Sequence, residues 1–311
     1  MKKLIIPLII FLMLVSGCSH ATEIEGKKDA RGTKKLHIVT TFYPMYYFAK
    51  KVAGNLADVD LLIPNGVEPH DWEPTAKDMA IIQDSDVFIY NSRYFETWTE
   101  KVLNSIDRSN LKIVEASKGI ELIDGISEEG ENHKENTASK DPHVWLSPVL
   151  ASQEVDNITK ALEQKDPKNK EQYEKNAAVF KSQLADLDRL YKKTINEAKK
   201  KEFVTQHAAF GYLAKQYGIT QIPIAGLSPD VEPSLSKLTE LTELMKKKNI
   251  KVIYFEGLVS SKVAQTLANE IGAKTEVLNP LEGLTKEDQK KGLDYIGVMK
   301  KNLDALKLSL Y

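Results

Sequence analysis

The stretch "KNKEQYEKNAAVFKSQLADLDRLYKKTINEAKKK", residues 168–201, contains neither Gly nor Pro, and its apolar residues Tyr173, Ala177, Phe180, Leu184, Leu187 and Tyr191 recur every three or four positions. That spacing places them on one face of an α-helix with charged and amide side chains around the rest. Some thirty residues at about 1.5 Å each predict a helix on the order of 50 Å long. The stripe spans fewer than three heptads, too few for a coiled-coil dimerisation arm, so the segment reads as a rigid strut.

What the strut joins follows from the sequence on either side. Before it, apolar runs of strand length at 36–42, 59–63, 86–91 and 111–115 alternate with amphipathic stretches at 45–53, 75–83 and 95–104. After it the pattern restarts, with strands predicted at 203–207, 221–225, 251–255 and 274–278 and helices at 234–248 and 260–271. Strands alternating with helices predict parallel sheets. The expected fold is therefore α/β: two lobes, 36–166 and 202–311, joined by a long linking helix at 167–201.

The chain has 311 residues, 42% hydrophobic and 28% charged, the balance of a folded globular protein. Its 43 basic and 44 acidic residues leave a formal net charge of -1, so no overall field favours nucleic acid or an anionic membrane. A single cysteine excludes a disulfide within the chain. The first residues, "MKKLIIPLIIFLMLVSGC", combine two lysines, twelve apolar residues and a small-residue end, which predicts a signal peptide at 1–17. Twelve apolar residues are too few to span a bilayer. "VSGC" resembles a bacterial lipoprotein processing site, so Cys18 is the expected lipidation point. The two or three acyl chains of such a lipoprotein anchor stably where one would not. Residues 18–35 are polar and aperiodic and read as a flexible tether.

Six histidines remain to be explained. His20 and His37 lie near the tether and His133 in a charged loop. His70 lies in "PNGVEPHDWEP" (64–74), His143 in "DPHVWLSP" (141–148) and His207 in "HAAFGYL" (207–213). Each of these three falls at or beyond the carboxyl end of a predicted parallel strand, the edge at which open α/β sheets bind ligands. Two lobes facing each other would bring them to one cleft. Imidazole is a good ligand for zinc and its neighbours, and Pro-flanked loops fix ring orientation.

These three motifs, in this order behind a lipoprotein signal, resemble the zinc branch of the metal-receptor solute-binding proteins, the zinc-binding lipoproteins of ABC importers. The resemblance runs from about residue 36 to 311. It implies two α/β lobes bridged by one helix, with the metal between them. It also implies the ligand set His70, His143, His207 and, from "LNPLEGLT" (278–285), Glu282. Manganese-binding relatives carry Glu at the place of His207 and Asp near that of Glu282, and three imidazoles with one carboxylate suit Zn(II) better than the harder Mn(II). Glu256 ends a predicted strand and competes with Glu282 as fourth ligand, or else accepts from an imidazole N–H.

The resemblance further implies partners: a membrane permease and its ATPase, since this chain has no G-x-x-x-x-G-K-[ST] loop or spanning helix. The membrane is touched through the N-terminal lipid alone, on the extracytoplasmic face, and the receptor is expected to be a monomer and not an enzyme. Two other readings stay open, a manganese receptor of the same family and a surface zinc hydrolase. The hydrolase would need an open coordination place and lacks an H-E-x-x-H signature. A third class, an adhesin or scaffold that uses the metal structurally, stays open as an additional role.

Other features read more plainly. Residues 124–141, where zinc members often have a His-rich loop, carry His133 alone among acidic and polar residues and read as a solvated loop. Trp72 and Trp145 are expected to pack, Glu68 and Asp71 to be exposed, and the charge run 245–251 to be a solvated helix end.

Overall fold

The computed structural model describes residues 35–126, 139–229 and 233–311. The predicted signal peptide, Cys18, His20, nearly all of the tether, and His133 lie outside the described residues.

The N-terminal part runs β1 (Leu36–Thr40), α1 (Tyr43–Ala53), β2 (Ala57–Leu61), α2 (Ala76–Gln83), β3 (Val87–Tyr90), α3 (Thr99–Ser105) and β4 (Lys112–Glu115). After a short 3-10 turn, Val144–Leu146, come α4 (Pro148–Lys165) and α5 (Lys170–Asn196). The C-terminal part runs β5 (Glu202–Thr205), α6 (Gly211–Tyr217), β6 (Thr220–Pro223), α7 (Leu235–Lys247), β7 (Val252–Phe255), α8 (Lys262–Ile271), β8 (Lys274–Val277), α9 (Lys286–Lys290) and α10 (Tyr295–Leu310). The strands form two all-parallel sheets of the same order, β2-β1-β3-β4 and β6-β5-β7-β8. In each, the chain leaves the first strand toward one edge and returns to the other side. The carboxyl ends of β1 and β3, and of β5 and β7, therefore flank the switch point where a crevice forms.

Local chemistry sets the ends of the elements. A capping box at Thr75 and Asp78 starts α2, and Ser147 caps α4 with Pro148 as its first residue, where a missing N–H costs nothing. The linking helix is 27 residues long, shorter at both ends than predicted, because Pro167–Asn169 forms a 3-10 turn before it and the helix ends at Asn196. The third helix starts at Thr99, not at 95, because residues 91–96 make a turn around the Glu96 carboxylate, which accepts from Asn91 N–H, Ser92 N–H and Thr41 Oγ.

The two lobes share one core. The stripe Tyr173, Ala177, Phe180, Leu184, Leu187 and Tyr191 is buried along its length, as its spacing predicts. Helix α10 comes back across to the N-terminal part: Tyr295 lies 5.1 Å from Phe48 and 5.9 Å from Tyr47, ring to ring. Asp294, the cap of α10, accepts from Tyr47 Oη at 2.6 Å, and Tyr191 Oη donates to Met299 O at 2.7 Å. Phe48, Phe180, Tyr191, Phe203 and Tyr295 thus belong to one continuous hydrophobic cluster. Burying each such side chain contributes about 1.5–3 kcal/mol. Swinging the lobes apart would expose several of them, so the angle between the sheets is held by the core as well as by the strut.

Candidate metal centre

Each of the four residues singled out in the sequence comes from a loop after a strand. His70 follows β2, His143 follows β4, His207 follows β5 and Glu282 follows β8. Their donor atoms all lie within 4.8 Å of one another. Glu282 Oε1 lies 3.3 Å from His70 Nε2, 3.3 Å from His143 Nε2 and 3.5 Å from His207 Nε2. Charge-assisted hydrogen bonds are shorter, about 2.7–2.9 Å. A tetrahedral zinc ion with bonds near 2.0–2.1 Å has ligand atoms about 3.3 Å apart. The buried Nε2 atoms of His143 and His207 have no well-directed hydrogen-bond partner. Buried polar atoms are seldom left this way, and the arrangement can hold one cation of zinc size.

The rings are aimed from behind. His143 Nδ1–H donates to Asp141 Oδ1 at 2.8 Å, and the same oxygen accepts the His143 backbone N–H at 2.9 Å. His207 Nδ1–H donates to Glu256 Oε1. Glu256 is therefore on the Nδ1 side of the imidazole, whereas Glu282 faces Nε2. With one proton kept at Nδ1, Nε2 points inward and offers its lone pair once any proton it carries is lost. Glu68 is half-buried, not exposed, and its carboxylate accepts the His70 backbone N–H at 3.0 and 3.2 Å. Asp71 is exposed.

A further layer holds these loops. Asn91 Nδ2, at the end of β3, donates to Pro142 O beside His143. Trp145 is fully buried, as expected, and its Nε1–H crosses the cleft to Pro280 O at 2.8 Å, two residues before Glu282. Trp72 packs edge-on against Trp98. No sequence pattern singles out Asn91 or Glu96. Asp141 stands two residues from His143 inside a quoted motif, and an Asp at that offset before a loop residue is the available signal.

Charge is concentrated here. Burial works against a charged His207 ring, but Glu256 and Glu282 outweigh it and lift its pKa to about 10. His143 is raised likewise, against burial, by Asp141 and Glu282. Burial pushes the Glu282 carboxyl up, yet the three imidazoles around it hold it well below the usual range. Burial lifts Glu96 to about 7 despite its three donors.

The family described as "Zinc-uptake complex component A periplasmic" matches residues 38–308. This chain belongs to that family. It is 58% identical over 302 residues to the Bacillus subtilis (strain 168) "High-affinity zinc uptake system protein ZnuA", covering 96% of this chain and 94% of that protein. It is 49% identical to the "Zinc-binding lipoprotein AdcA" of Streptococcus pneumoniae (strain ATCC BAA-255 / R6), where the match covers 96% of this chain and 60% of the longer relative. The crystal structure of the Zn(II)-bound ZnuA-like domain of Streptococcus pneumoniae AdcA superposes with a TM-score of 0.77 at 50% identity, over 89% of this chain and 99% of that one. Among the described residues no helix is long and apolar enough to cross a membrane.

Proposed function

We propose that this chain is the extracytoplasmic receptor of a zinc importer. It binds Zn(II) between its lobes through His70, His143, His207 and Glu282, and it passes the ion to a membrane permease driven by an ATPase. One observation carries the ligand assignment: a carboxylate oxygen surrounded by three Nε2 atoms at the spacing of a tetrahedral zinc site, two of them otherwise unpartnered. The lobes 36–166 and 202–311 each supply two donors, and the linker 167–201 fixes their separation. Four protein donors leave no place for a reactive water, which favours carriage over hydrolysis.

Three imidazoles and one carboxylate are softer than the donor set Mn(II) favours. His207→Glu is expected to lower zinc affinity and to reduce the Zn(II)-over-Mn(II) ratio at least tenfold. Zinc still binds the more tightly of the two, following the general affinity order. The structure adds a reason for a large effect: the new carboxylate faces Glu256, and two like charges meet where an ion pair stood. Competitive titration of both metals against wild type and variant measures it. An unchanged ratio removes His207 from the ligand set.

The membrane link is assigned to lipid on Cys18, with 18–35 as a tether, and the receptor acts as a monomer. Cys18→Ala then releases the protein from membranes while zinc affinity stays as in wild type, read by fractionation and chelator competition. Retention on the membrane would exclude this anchor.

A further inference from the structure

The four donors are unequally reachable. The side chains of His143, His207 and Glu282 are 0%, 1% and 2% exposed, whereas that of His70 is 11% exposed. Asp141 and Glu256 lock the first two rings at Nδ1, whereas the His70 ring is placed by its loop and by edge contact with Phe95 at 4.8 Å. That loop, residues 62–75, links β2 to α2 without regular structure. Of the four donors, His70 is the one most open to solvent.

The loop is tied across the cleft beside the ligands. Asn65 Oδ1 accepts the Leu284 backbone N–H at 3.1 Å, so a residue five before His70 grips one two after Glu282. Between these points the two loops run close together: a Cβ on Gly283 would lie 3.5 Å from Gly66 N and 3.8 Å from Val67 O. The C-terminal side of this contact is stiff. Leu281 has a φ of +62°, unusual for a branched residue, and its N–H is held by Asn279 Oδ1 at 2.7 Å while Asn279 N–H is held by Asn302 Oδ1. The C-terminal loop is thus braced in place and the His70 loop leans on it.

We propose that Asn65 is a positioning residue for His70 that sets how long a captured zinc ion stays bound. Resting on the zinc-receptor reading above, the inference concerns the kinetics of release. The Asn65–Leu284 bond must break before His70 can swing outward, so it slows release, while capture by the remaining ligands does not depend on it. One hydrogen bond with a protected backbone donor corresponds to roughly three- to tenfold in rate.

The experiment loads the full-length protein with Zn(II) and follows transfer to excess chelator by stopped flow, with association measured separately. Asn65→Ala is expected to raise the dissociation rate about three- to tenfold and leave association within about twofold of wild type. Asn65→Asp, whose carboxylate still accepts the Leu284 N–H, is expected to return dissociation to near the wild-type rate. A melting curve of the ion-free variants shows that they fold. Unchanged dissociation in Asn65→Ala, or the same acceleration in Asn65→Asp, overturns the assignment of Asn65. A wild-type protein that takes up no zinc would instead overturn the receptor reading.

Discussion

His143→Ala is expected to lower zinc affinity by more than about 100-fold, beyond the 10- to 100-fold typical for losing an outer-shell partner of a metal-binding His. The substitution removes a donor atom 3.3 Å from Glu282 Oε1, and a second effect adds to it. Asp141, itself buried, loses the imidazole that shared its charge and keeps the His143 backbone N–H. A buried carboxylate deprived of its partner destabilises its surroundings, so the loop that positions the 3-10 turn and Trp145 also loosens. Asp141→Asn leaves the Nε2 donor in place and is expected to cost less, about 10- to 100-fold, by weakening the ring's basicity and aim. Glu282→Gln keeps an oxygen within reach of the three rings and is expected to cost less than loss of any histidine. Chelator competition on the three variants, with melting curves to confirm folding, ranks them. Zinc binding by His143→Ala within tenfold of wild type would end the assignment of His143 as a ligand.

Acid should release the ion, and the site says over what range. In the ion-free protein Glu256 and Glu282 lift the His207 pKa, against burial, to about 10, which favours the imidazolium form between the two carboxylates at neutral pH. Zinc needs the Nε2 lone pair, so binding expels that proton while Nδ1–H remains on Glu256. Releasing one proton per ion makes affinity change about tenfold per pH unit. Between pH 8 and pH 6 affinity is therefore expected to fall about 100-fold from His207 alone, and further because His143 is also raised. Above about pH 10 this dependence levels off. The ion-free fold follows the opposite sign. Since His207 is raised from 6.5, its stabilising contribution is complete below that value and is lost as pH rises through about 10. Zinc and protons thus compete to neutralise the same buried acids. Titrations in buffers of different ionisation enthalpy count the protons released, and a count near zero at pH 7 would contradict this picture of the site.

How much of this was legible beforehand differs by layer. The strut was readable because helical burial recurs every three or four residues, and Tyr173 to Tyr191 do face the core. Strands such as "LHIVT" and "VFIY" were readable because their apolar runs are mostly buried within a parallel sheet. Strand ends were less so: 86–91 shortened to Val87–Tyr90 because Asn91 turns to meet Glu96. Candidate donors were legible by residue type and by position beyond strand ends.

By itself, then, the sequence determined two parallel α/β units, a rigid helix between them and three histidines placed beyond strand ends. Only the tertiary structure decided which atoms face one another. It put Glu282 among the three Nε2 atoms and Glu256 behind His207, sorting two glutamates that the sequence left as rivals. It also brought α10 back onto α1 and α5 and joined the lobes into one core. The physical reason is range. Backbone periodicity is set by neighbours three or four residues apart, whereas His207 and Glu256 are 49 residues apart and His70 and Glu282 are 212 apart. The first meeting depends on β5 and β7 pairing in one sheet and the second on how two sheets pack across a shared core, and no local pattern encodes either.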